Sequence, residues 1–133
     1  MRRFLRFGMA GLVLAGVIAA EAYAVPSTKN YTATVYVKDA RTSLTTFTVT
    51  LRNDPKSNQT FGSANIVPAA ALQATSAVTT RPGWTAGVDS SGIVALRSTS
   101  NPVGKGDSVS VDVTVASIPA SCADASWNTF VKQ

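Results

Sequence analysis

Residues 107–117, DSVSVDVTVAS, constrain this chain more than any other stretch. Val109, Val111, Val113 and Val115 occupy every second position, with Ser108, Ser110, Asp112 and Thr114 between them. A strict period of two in β-branched residues predicts a strand with one apolar and one wet face, as in an antiparallel sheet lying on a core. Residues 31–38 repeat the pattern, with Tyr31, Ala33, Val35 and Val37 on one face and Thr32, Thr34, Tyr36 and Lys38 on the other. Residues 46–52 repeat it again: Phe47, Val49 and Leu51 point in, and Thr48, Thr50 and Arg52 point out. Residues 61–67, 72–79, 84–88, 92–98 and 126–132 are less regular strand candidates.

Turn chemistry separates these runs. Asn53-Asp54-Pro55 ends a strand, because proline brings no ladder donor and Asx residues favour turns. The polar clearing at 53–58 then reads as a loop at one end of the fold. Arg81-Pro82-Gly83 is a second turn. Asp89-Ser90-Ser91-Gly92 joins two strands as a hairpin, and Gly104-Lys105-Gly106 leads into the valine strand. Pro68 to Ala71 closes a strand and adds a short helical turn. No long segment carries helical periodicity. Seven or eight short strands in a chain of this length predict an all-β fold, an immunoglobulin-like antiparallel β-sandwich, with a closed barrel as the alternative.

The first 24 residues have a different character. Arg2, Arg3 and Arg6 precede an apolar run from Phe7 to Ala20, and Ala22-Tyr23-Ala24 is a small–x–small cleavage sequence. This is the plan of a secretory signal peptide, with cleavage expected between Ala24 and Val25. The run is shorter than the roughly 20 residues of a spanning helix, so no membrane span is expected after cleavage. The Arg2-Arg3 pair raises a twin-arginine route, but Phe4 and Leu5 follow the pair directly, and either route leads to export. A secreted, periplasmic or cell-surface location is expected. Residues 25–133 are then one domain of 109 residues, long enough for its own core. The leader takes three basic residues and one acid with it, so the net charge falls from +5 to +3. The remaining basic residues are scattered, which argues against nucleic acid as a partner.

Several motifs resemble an immunoglobulin-like module of bacterial secreted and cell-surface proteins. They are Phe47-x-Val49-x-Leu51-x-Asn53, then Ile66-Val67-Pro68, then Trp84, then Pro102-x-Gly104-x-Gly106-Asp107-x-Val109. The resemblance spans most of the chain after the leader. It implies a non-catalytic building block, often repeated and fused to other domains, and it carries no functional residues. Partners would be other domains of a longer exported protein or cell-surface components. A single copy is present, and the final strand runs to the last residue, which raises the possibility of a fragment.

The residue inventory argues against catalysis. After the leader there is no His and no Glu, so a Ser-His-Asp or Cys-His site cannot be built. The six acids are Asp39, Asp54, Asp89, Asp107, Asp112 and Asp124. Most flank turns, and no spacing selects a glycosidase pair. No metal or other cofactor is expected: one Cys without His makes no zinc site, and the spaced acids of a calcium loop are absent. Cys122 is alone, and is expected to be a small buried residue; a bridge to another chain is the alternative. Lys105-Gly106-Asp107 resembles an integrin-binding tripeptide but reads better as a turn. The sequons at Asn30 and Asn58 read as ordinary loop and edge residues. Aromatic residues are the better lead for binding. Tyr36 lies on a polar strand face, Trp84 follows a Pro-Gly turn and Trp127 falls in the last strand candidate. They form either an exposed platform for a sugar or a peptide or, for the two tryptophans, part of the core. An abrupt terminal strand also admits a pilin-like subunit that assembles by strand exchange.

Overall fold

The computed structural model describes residues 30–69, 72–116 and 126–133. The leader, the Ala24–Val25 junction, Cys122 and Asp124 lie outside them. The described chain forms eight strands: β1 (Tyr31–Ala40), β2 (Thr45–Asn53), β3 (Ser63–Val67), β4 (Ala74–Val78), β5 (Trp84–Val88), β6 (Val94–Ser98), β7 (Ser108–Val115) and β8 (Asn128–Lys132). One sheet has the order β1-β2-β7-β4 and the other β5-β6-β3-β8, with every ladder antiparallel. The two sheets make the sandwich that the alternation predicts.

The inward faces fill the space between the sheets. Phe47, Val49 and Leu51 of β2 and all four valines of β7 are buried on one side. Ala64 and Ile66 of β3 and Val94 and Leu96 of β6 are buried on the other. Each of these side chains larger than alanine contributes about 1.5–3 kcal/mol by leaving water. Phe61 does not open β3 as the pattern suggests. It forms a single antiparallel bridge with Val103 and packs edge-on to Trp84, with ring centroids 6.3 Å apart. The 72–79 run shortens to β4 because Leu72 donates its N–H to the Ala69 carbonyl in a turn. Of the helical turn expected at 68–71, residues 70 and 71 lie outside the described set.

The hairpin at 89–92 is confirmed. Asp89 Oδ1 accepts the N–H groups of Ser91 and Ile93 at 2.8 and 2.9 Å, and Gly92 takes a φ of +80° that a Cβ would penalise. The polar clearing is the loop expected after β2, but two of its residues are turned into the interior. Asn53 is the last residue of β2 and, with Ser57, is fully buried. Its amide donates to the carbonyls of Gln59 at 2.7 Å and Val103 at 3.2 Å, so it fastens the loop to the core instead of opening it to water. Among the described residues no helix is long and apolar enough to cross a membrane.

Candidate functional site

The outer face of the β1-β2-β7-β4 sheet carries the most organised surface chemistry. Cross-strand registers align Tyr36, Thr48, Asp112 and Val78 in one row across all four strands. Within it, Thr48 Oγ1 donates to Asp112 Oδ1 at 2.7 Å, and Lys38 Nζ donates to Asp112 Oδ2. The register slips between Val37 and Asp39, which leaves Lys38 as the extra residue of a bulge beside this row. The Lys38 bond holds the Asp112 carboxyl below its ordinary range, and the same contact raises Lys38. Hydroxyls continue the pattern: Thr50 meets Ser110 at 2.7 Å and Thr46 meets Thr114 at 3.2 Å. This face offers hydroxyls, one neutralised ion pair and one aromatic ring. It can bind, but it holds no nucleophile–base pair.

Of the three aromatic candidates, only Tyr36 lies open, at 58% exposure. Trp84 belongs to the core: it is buried, and its indole N–H donates to the Asn101 carbonyl at 2.5 Å. Trp127 is half-buried and packs edge-on to Phe47 at 5.2 Å. The two indoles therefore face the interior, and no three-ring platform forms. Phe130, on the outer face of β8, is 57% exposed but stands on the other sheet.

The described acids are all engaged locally. Asp39 pairs with Arg41, Asp54 Oδ1 caps the Lys56 N–H, and Asp89 organises its hairpin. Asp107 accepts from Arg81 at 2.8 Å and from the Ser108 N–H, and both bonds lower its carboxyl. The tripeptide at 105–107 thus offers an aspartate already bound to arginine. Arg81 itself was not singled out in the sequence. It also donates to the Ser108 carbonyl at 2.9 Å and to Asn101 Oδ1 at 3.3 Å, tying the β4–β5 turn to the start of β7. A cleft of about 940 Å³ opens between Val67, Leu72, Gln73, Asp89, Ser91 and Asn128. Among the described residues of its lining Asp89 is the one carboxylate, and one of its oxygens already serves the hairpin. Among the described residues no three His, Cys, Asp or Glu side chains converge on a point that could hold a metal.

The most exposed strand is β1. Val35, Tyr36 and Val37 are 36%, 58% and 55% exposed, and nearby Leu44 is 43% exposed. Among the described strands β1 pairs with β2 alone. Its Tyr31 hydroxyl crosses to the second sheet and donates to the Thr129 carbonyl at 2.6 Å.

No family profile matches the chain, and no curated protein does. A solved structure that matches part of the chain is an inactive mutant of a GH20 exo-β-N-acetylglucosaminidase from Vibrio harveyi. The superposition has a TM-score of 0.47 at 13% identity, and covers 76% of this chain but 17% of the enzyme. At that similarity the match carries no argument about this chain, which spans about a sixth of the enzyme's length.

Proposed function

We propose that this chain is an exported, non-catalytic structural or adhesive module of a bacterial envelope or secreted protein, of the immunoglobulin-like kind that its motifs resemble. The observation that carries the reading is the state of the carboxylates. All five described aspartates are held in ion pairs or turn caps, and the two with a displaced pKa are displaced downward. A general acid needs the opposite shift, toward neutrality. The leader sequence supports export. The exposed Tyr36 favours a second reading, a binding module for a sugar or a peptide, though it rests on a single ring.

Expression of the full chain in a bacterial host, followed by fractionation and N-terminal sequencing, tests the proposal. The expected product begins at Val25, lies outside the inner membrane and hydrolyses none of a panel of glycoside and ester substrates. An unprocessed cytoplasmic product overturns the export. Hydrolysis abolished by one Asp→Asn substitution overturns the non-catalytic assignment.

A further inference from the structure

Among the described strands, β1 is the one sheet edge with a long regular uncharged stretch, Tyr31 to Val37. The other edges are β4, β5 and β8, each of five residues. β4 has an irregular register between Ala74 and Ser76, β5 contains Gly87, and a carbonyl of β8 is taken by the Tyr31 hydroxyl. Such features blunt an edge against pairing. β1 runs for ten residues, and from Tyr31 to Val37 it has no charge, no proline and no bulge.

The direction of its free main-chain groups follows from one bond. The Asn30 carbonyl accepts the Asp54 N–H at 2.9 Å, in register with the Tyr31–Asn53 pair that follows. Bonded and non-bonded pairs alternate along an antiparallel ladder. Thr32, Thr34 and Tyr36 therefore spend their N–H and C=O groups on β2. Those of Tyr31, Ala33, Val35 and Val37 point away from it, toward the open edge.

Charge selects the occupant. The edge has no charge with which to recruit an acidic or basic strand, and Lys38 and Asp39 at its end are matched by Asp112 and Arg41. The edges β4 and β5 are uncharged too, but at five residues each they cannot match all four outward residues, and the uncharged strand of matching length is β1 itself. A two-fold axis normal to the sheet, passing between the Thr34 residues of two copies, sets Tyr31 opposite the partner's Val37 and Ala33 opposite the partner's Val35. All four outward residues then exchange both their bonds, about eight in total, and a two-residue slip either way forfeits about two. Inner faces meet inner faces, and the outer face gains a Thr–Thr pair and two Thr32–Tyr36 pairs. No like charges oppose each other.

We propose that β1 is a homotypic docking edge, through which two copies join antiparallel over residues 31–37 and fuse their β1-β2-β7-β4 sheets into one. The proposal rests on the chain being an assembly module and does not depend on its export. The test expresses the full chain and purifies the soluble product with whichever N-terminus it carries, so that a failure of processing is read separately. Sedimentation equilibrium is expected to show a reversible, concentration-dependent dimer. Val35→Pro removes an outward donor that the β1–β2 ladder does not use, and Thr34→Lys sets like charges across the axis. Each is expected to raise the dimer Kd at least about tenfold while circular dichroism stays that of the parent. Mixing Thr34→Lys with Thr34→Asp is expected to restore a dimer. A parent protein that stays monomeric overturns the proposal, as do a dimer indifferent to both Thr34 substitutions and a mixture that fails to pair. The Thr34 arms decide even if the proline variant misfolds.

Discussion

β1 and β2 lie side by side along nine paired positions, yet they belong to different environments. Val49 is fully buried, whereas Val35 directly across the ladder is 36% exposed; Phe47 is 4% exposed and its partner Val37 is 55%. The residues alternate identically in both strands. The difference comes from the layer opposite. β2 is flanked on both sides and buries its inward residues in the shared core, while β1 has a neighbour on one side only and reaches the second sheet through Tyr31 at one end. Pairing supplies a strand with hydrogen bonds; burial needs a second surface.

The strongest way to break this contrast is to truncate β2. Leu51→Ala removes a fully buried side chain and is expected to cost about 2–5 kcal/mol in chemical denaturation. The matched pair Val49→Ala and Val35→Ala sharpens it, because the same chemistry is removed from two residues that face each other. We expect about 2 kcal/mol for the former and less than about 1 kcal/mol for the latter in dilute protein. Equal losses would show that β1 is covered in solution.

Asn53→Ala tests the buried end of β2. The substitution leaves the Gln59 and Val103 carbonyls without their amide donor, which is expected to cost about 1–3 kcal/mol. A loss near zero would mean that water replaces the amide and that Asn53 does not fasten the loop to the core.

Smaller effects attend the ion pair that joins β1 to β7. The Asp112 carboxyl is depressed when folded, as is that of Asp107, so their stabilisation is present above the ordinary carboxyl range and is lost as pH falls through the lower folded values. Lys38 is raised, so its share persists at neutral pH and is lost as pH rises beyond its usual value. Thermal melts on the acid side should fall less steeply for Asp112→Asn than for the parent protein. Added salt should narrow the gap, because the pair is largely exposed. The smallest change expected is Tyr36→Ala, within about 0.5 kcal/mol of the parent, since the ring is mostly in water. A larger loss would mean that the ring packs more tightly than its exposure indicates.

Much of this was legible in particular residues. The valines of β7 announced their face, Asp89 and Gly92 announced their hairpin, and Trp84 beside a Pro-Gly turn was a reasonable core residue. Asn53 carried a signal that composition obscures: it continues the inward phase of Phe47, Val49 and Leu51, and its burial follows from that phase. Arg81 carried none. Its partners lie 20 to 27 residues away, and no local pattern encodes a bond to a distant carbonyl.

By itself the sequence determined the period-two strands, the face each residue takes and the turns between them, because these follow from local sterics and backbone hydrogen bonding. The absence of histidine from the sandwich, and with it the loss of the commonest acid–base group, was equally plain. Only the tertiary structure decided which apolar faces are covered. It placed Trp84 and Asn53 inside and Tyr36 outside, and among the described strands it left β1 at an edge. Burial is a property of two surfaces brought together over long stretches of chain, and a strand's own residues specify one of them.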